Sequence, residues 1–197
     1  MAGFDFGLKT FLTVSDGDNM HQIESPEFFK QGMDDIRRAS RELSRKVKDS
    51  NNYHRAKREL AKIHKQIADR RRDWFFKLAN ELTDQYDYLF FETLNLKGMQ
   101  RLWGRKINDL AFGTFLTILQ WIAQKKGKTV AFIDRFFPSS KTCHHCGCIN
   151  SDLTLSDRHW RCPDCQEVVD RDGNAAINIL REGTSSLGVG DVRPVRS

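Results

Sequence analysis

Two Cys-x-x-Cys pairs, Cys143/Cys146 and Cys162/Cys165, stand fifteen residues apart, and they constrain this chain more than any other feature. Each pair presents two thiolates from one tight turn, and two pairs complete a tetrahedron around Zn²⁺. The spacing is that of a zinc ribbon, so residues 143–166 are expected to fold around a metal. Four thiolates leave no open coordination position, which makes such a zinc structural. His144 and His145 lie inside the first pair and are read as exposed, and Cys148 as a bystander thiol. Shortly after the second pair comes Asp170-Arg171-Asp172, leading into an Ala/Ile/Asn run that reads as a helix starting near Asp172, within a closing segment 167–182.

A chain of 197 residues can bury one good core and a small satellite. No apolar stretch approaches the ~18 residues of a membrane span, and no charged-then-apolar leader opens the sequence. The expectation is therefore a cytoplasmic protein whose thiols stay reduced and serve as ligands rather than disulfides. Charge is unevenly spread. Residues 30–77 hold sixteen of the 32 Lys and Arg but only seven acids. So concentrated a basic element suits a polyanion such as nucleic acid, and equally a solvated helical face.

Hydrophobic periodicity divides the rest. Residues 3–14 read as a strand pair, SDGDN at 15–19 as a turn, with a short third strand after it. Phe29, Met33, Ile36, Ser40, Leu43 and Val47 recur at steps of four and three. Beyond a polar loop at 48–52, Ala56, Leu60, Ile63, Ile67, Trp74 and Leu78 repeat the rhythm. Such stripes predict an antiparallel helical hairpin over about 26–80 with its seam buried. Arg55, Lys57, Arg58, Lys62 and Lys65 would face outward as a phosphate-binding set. Residues 86–94 and 129–137 read as buried strands, the latter ended by Pro138, and 107–126 as a helix stopped at Gly127. The Gly- and Ser-rich stretch 183–197 reads as a flexible tail.

Three acids are oddly placed. Asp5 sits mid-strand between Phe4 and Phe6, Glu92 follows Phe90-Phe91, and Asp172 opens the last helix. Singly they are a turn residue, an edge-strand acid and an N-cap. Together, two on neighbouring strands ~4.8 Å apart and a third on a packed helix would converge. Converging carboxylates need a hard cation, Mg²⁺ or Mn²⁺, and a pair of such ions is suited to phosphodiester hydrolysis.

This element order, with its Asp, Glu, Asp set, resembles the RNase H-like fold of RuvC-type nucleases. GFDFGLKTFLTVSDG, FFETLNLKGM, DRFFPSSKTCHHCG, RCPDCQ and DRDGNAAINIL further resemble, in order from about residue 3 to 182, the C-terminal half of the TnpB (OrfB) transposon-encoded family. Type V CRISPR effector nucleases are similar. The resemblance implies an α/β RuvC-like core over 1–142, carrying the hairpin, with an inserted zinc ribbon. It implies catalytic, Mg²⁺- or Mn²⁺-binding acids at Asp5, Glu92 and Asp172, zinc at the four paired cysteines, and RNA-guided cleavage of DNA. The family carries a large N-terminal part that contacts guide RNA and target DNA. Here the first strand begins almost at Met1, so guide RNA is expected to be engaged through that part or a partner chain. The other reading is an inactive nucleic-acid-binding remnant, or an accessory subunit of a split effector.

Overall fold

Every Phe, Leu and Val side chain of the first two strands and of the strand at 88–92 is buried, and the architecture follows from covering them on both sides. The computed structural model describes residues 1–8, 10–94, 110–154 and 156–188. Strands β1 (Ala2–Phe6), β2 (Thr10–Ser15) and β3 (Met20–Glu24) form an antiparallel meander. Helices α1 (Phe28–Gln31), α2 (Met33–Ser44) and α3 (Asn51–Gln85) follow, then β4 (Tyr88–Glu92), α4 (Phe112–Lys126) and β5 (Thr129–Ile133). β4 runs parallel to both β1 and β5, giving a five-stranded mixed sheet in the order β3-β2-β1-β4-β5. A separate two-stranded sheet, β6 (His159–Arg161) and β7 (Val168–Asp170), leads into α5 (Arg171–Leu187).

Strand alternation sends Phe4, Phe6, Leu89 and Phe91 to one face, where they meet Phe75 and Leu78 of α3 and Phe115 and Leu119 of α4. Stacking of Phe4 on Phe91, with ring centroids 4.7 Å apart, ties β1 to β4 on this side. The other face belongs to α5: Phe90 and Ile133 pack there against Ile179 and Leu180. Gly3 is required here, because a Cβ would stand 2.2 Å from the Ala176 carbonyl oxygen. A side chain at that point would push the helix off the sheet.

The hairpin is present, but α3 extends to Gln85, and its last turns, Phe75 to Thr83, are buried against the core. Its outer seam is thinner than the periodicity implies. Ile36 and Ile67 are buried, Leu43 and Ile63 are half-buried, Ser40 is exposed, and Val47 lies beyond α2 and is exposed. Only two helices meet there, so no third surface closes the stripe. Ser50 caps α3 by accepting from the Tyr53 N–H. α4 ends at Gly127 in the left-handed conformation, as expected, while residues 107–109 of the proposed helix lie outside the described residues.

Further boundaries differ from the reading of the sequence, β4 spanning only 88–92 of the proposed 86–94. β5 stops at Ile133 rather than running to 137, where the Asp134 carboxylate accepts the Phe136 N–H and turns the chain. Instead of a tail starting at Gly183, α5 continues to Leu187. Gly183 lies directly on the Phe90 ring and Thr184 is buried, its hydroxyl donating to the Leu180 carbonyl. The remainder of that stretch, 189–197, lies outside the described residues. Among the described residues no helix is long and apolar enough to cross a membrane.

Candidate nuclease centre and cysteine module

The parallel pairing of β1 with β4 matches Gly3 to Phe90 and Phe4 to Phe91, and the next residues along each strand are Asp5 and Glu92. Partners in a parallel ladder share a face, so both acids project with Gly3 and Phe90 toward α5. α5 runs back along β1, its Ala176 and Leu180 over Gly3, which puts the helix start and Asp172 at the level of Asp5. The three acids thus lie on the same side of the sheet, near enough for Glu92 and Asp172 to act electrostatically on Asp5.

Asp172 does not cap the helix. That role belongs to Asp170, whose Oδ1 accepts the Gly173 N–H at 2.8 Å. Asp172 sits in the first turn, and its Oδ1 accepts from Arg171 Nε at 3.1 Å and Nη2 at 3.0 Å. A capping role for Asp172 is therefore ruled out, because its neighbour already satisfies the helix end.

Electrostatics records the convergence. Burial pushes the Asp5 carboxyl well above the usual carboxylate range, and the nearby charges of Glu92 and Asp172 push it further, with Arg171 opposing. Burial also raises Glu92. A strand-centre aspartate 7% exposed, beside two more acids, is the costly arrangement that a stability role does not call for.

The four paired cysteines form a second centre. Their sulfur atoms all lie within 4.8 Å of one another, with Cys143 to Cys165 at 3.7 Å and Cys146 to Cys162 at 3.5 Å. Among the described residues, only this set of metal-ligating side chains is gathered so tightly, and Asp5, Glu92 and Asp172 are not. The donor set suits a metal ion. Burial works against ionisation of Cys162, but N–H groups of Cys165 and Asp164 donate to its sulfur and bring it down to about 7, while the thiols of Cys143, Cys146 and Cys165 are raised. Cys148 packs beside the cluster, and His144 is half-buried rather than exposed.

What the sequence reading missed is the joint between the two centres. Asn174, 2% exposed, accepts the His144 N–H at 2.9 Å through Oδ1 and donates through Nδ2 to the Thr142 carbonyl at 2.8 Å. One turn on, Asn178 donates to the Ser139 and Thr142 carbonyls at 2.8 and 2.6 Å. Arg181 donates to the His144 carbonyl. The sequence did hold the signal: polar residues at 174, 178 and 181 on one stripe of a helix whose neighbours are buried.

The five hairpin cations are all exposed. Arg55 lines the groove between α2 and α3 with Glu42 and Glu59, Lys62 is paired to Glu59, and Lys65 to Asp69. Such exposed pairs are weak and exchange readily for phosphate.

Known proteins resemble this chain in sequence and in fold. The family model OrfB_IS605, described as a probable transposase, matches residues 1–102, and a Cas12f1-like TNB domain model matches residues 112–179. A Streptomyces pristinaespiralis protein named "Putative RNA-guided DNA endonuclease" is 36% identical over 197 residues, covering 98% of this chain and 48% of its own. TnpB-like protein L79 of Acanthamoeba polyphaga mimivirus is 28% identical, covering 92% of this chain and 37% of its own. The chain thus spans about half or less of the length of these relatives. A cryo-EM structure of a CRISPR-Cas12f ternary complex superposes with a TM-score of 0.71 over 91% of this chain and 38% of that one, at 19% identity, which shows a shared fold. With its first 102 residues, more than half its length, matched by the OrfB_IS605 model, the chain belongs to the OrfB (TnpB) family.

Proposed function

We propose that this chain is the nuclease part of a TnpB-type RNA-guided DNA endonuclease, an RNase H-like (RuvC) core over 1–142 with a zinc ribbon at 143–166 and a closing helix after it. The observation that carries this reading is the register of β1 on β4, which sets Asp5 and Glu92 side by side on the face that receives the Asp172 helix. The relatives' names and the family match point the same way.

Asp5, Glu92 and Asp172 supply hard oxygen donors for Mg²⁺ or Mn²⁺. Asp5, Glu92 and Asp172 would hold such ions, whose chemistry would be activation of a water and charge stabilisation at the leaving oxygen of a DNA phosphodiester. The chain's own contribution is positioning. Asp170 fixes the helix end, Arg171 holds the Asp172 carboxylate, and the buried floor at Asp5 raises the value of every charge placed over it. Cys143, Cys146, Cys162 and Cys165 hold Zn²⁺ as a closed structural site. Arg55, Lys57, Arg58, Lys62 and Lys65 contact phosphates, and guide RNA reaches the complex through the rest of a longer protein or a partner.

Incubation of the purified chain with single-stranded DNA and Mn²⁺, beside Glu92→Gln and Asp172→Asn, tests this reading. Mn²⁺-dependent cleavage and Mn²⁺-induced thermal stabilisation should both disappear in the variants while the fold persists. Equal Mn²⁺ stabilisation of the variants and the parent chain would remove the proposed site, whether or not cleavage needs a partner.

A further inference from the structure

Trp121 of α4 is 50% exposed, an unusual position for the largest side chain on a helix whose neighbouring Ile118, Leu119 and Ile122 are buried. It does not stand alone. Phe76 of α3 meets it edge to face at 6.0 Å, Lys125 Nζ lies 3.7 Å from the indole centroid, and Arg72 lies over the Phe76 ring at 5.7 Å. The neighbouring acids are occupied, Asp73 by Lys77 at 2.8 Å and Asp84 by Lys126 at 2.7 Å. The result is an aromatic pair flanked by cations, on the outer surface of the α3–α4 layer.

This patch continues the basic hairpin. Arg58, Lys62, Lys65, Arg72 and Phe76 follow one another along α3 at steps of four, three, seven and four, which is one stripe of the helix. The seven-residue step passes Asp69, whose carboxylate is bound to Lys65. A chain of phosphates following the stripe is led onto the two rings. The layer covers the sheet face carrying Phe4 and Phe91, whereas Asp5 and Glu92 open on the opposite face toward α5.

We infer that Trp121 and Phe76, with Arg72 and Lys125, form a stacking platform for an unpaired segment of RNA. Exposed aromatic faces beside cations bind unstacked bases of single strands, the base taking the ring and the backbone taking the charges. A strand held on this layer is on the far side of the sheet from Asp5 and Glu92, and on the RNA-guided reading above the strand that is kept rather than cut is the RNA. The inference rests on the nucleic-acid reading of the hairpin.

The test is binding of the intact chain to a 12-nucleotide single-stranded RNA, the same DNA sequence, and the RNA duplex, across a salt series. Trp121→Ala should weaken single-stranded RNA binding about ten-fold, a typical effect of losing one stacked base, with an unchanged salt slope. Trp121→Phe should recover most of that loss, and Lys125→Gln should lower the slope by about one. Because Trp121 is half exposed, both Trp variants should unfold at the parent temperature, which separates binding from folding. Unchanged RNA affinity in Trp121→Ala overturns the platform while normal salt-dependent binding leaves the hairpin reading intact. Absence of salt-dependent binding by the parent chain overturns both. Equal or greater loss for the DNA strand overturns the assignment to RNA, and a change of oligomeric state without loss of RNA binding makes the patch a protein interface.

Discussion

Gly3 of β1 faces the backbone of Ala176 of α5 so closely that even a methyl group would stand 2.2 Å from the carbonyl oxygen and 2.5 Å from the Leu180 nitrogen. Backbone, unlike the tip of a side chain, cannot swing aside, so Gly3→Ala must lift the helix. Overpacking of this kind costs about 1–3 kcal/mol, and an obstacle made of backbone belongs at the upper end. Because α5 carries Asp172 one turn from the contact, the lift also widens the acid cluster. Urea unfolding should show the lowered stability, and Mn²⁺-induced stabilisation should shrink in the same variant. A Gly3→Ala chain with the parent midpoint would mean the helix does not seat on β1 as described.

Asp5 offers a prediction about pH. Burial first, then Glu92 and Asp172, hold its carboxyl well above the usual range. The folded chain therefore keeps this proton to higher pH than the unfolded chain, whose value lies at about 4. Stability from the protonated group is fully present below that value and is lost as pH rises through the raised one. In zinc-loaded protein without Mg²⁺ or Mn²⁺, Asp5→Asn should escape the loss, so its stability advantage over the parent should grow with pH. Saturating Mn²⁺ should reverse the order, since only the parent gains by binding. Parallel pH profiles for the two chains would show that Asp5 is not the strained group.

Asp5, Glu92 and the paired cysteines were legible in the sequence because each breaks a local rule. An aspartate between two phenylalanines of a strand weakens that strand, and four reduced cysteines at ribbon spacing suit a shared metal. Asp172 was legible as a candidate site residue but not distinguishable from a cap, because Asp170 and Asp172 both suit a helix start and only geometry shows which one accepts the Gly173 N–H. The end of α5 was misread for a related reason. Gly183 and Thr184 carry loop propensity, yet Gly183 is there because the Phe90 ring lies against it, a tertiary demand invisible in local composition. Val47 fits the hairpin's period but falls after the helix has ended, where periodicity no longer has meaning.

Asn174 should prove to be the hinge pin between ribbon and helix. Truncation to Ala leaves the His144 N–H without its partner and takes away one of the two amides that donate to the Thr142 carbonyl, in a buried joint. Unsatisfied buried groups cost about 1–3 kcal/mol each, and most of that falls on local opening rather than global unfolding. Amide exchange should accelerate across 139–148 while β1 and β4 keep their protection. Asn178→Ala should act in the same direction. Uniform acceleration over the sheet as well would mean that the asparagines support the whole core.

The cysteine module should depend on its metal for its fold. Its own apolar core is small: Leu153, Trp160 and Val169 with the buried cysteines Cys143 and Cys162. So few side chains cannot offset the chain entropy of a segment of this length, and metal binding then becomes folding energy. Cys162 is the ligand to remove, being fully buried and 3.5 Å from the Cys146 sulfur. Cys162→Ser should lower zinc below one per chain and open residues 143–165 to protease, with the α2–α3 hairpin and the five-stranded sheet still protected. A chelator should reproduce that cleavage pattern in the parent chain. Full zinc occupancy in Cys162→Ser, with the segment still resistant, would show that the four sulfurs are gathered for a reason other than a shared metal.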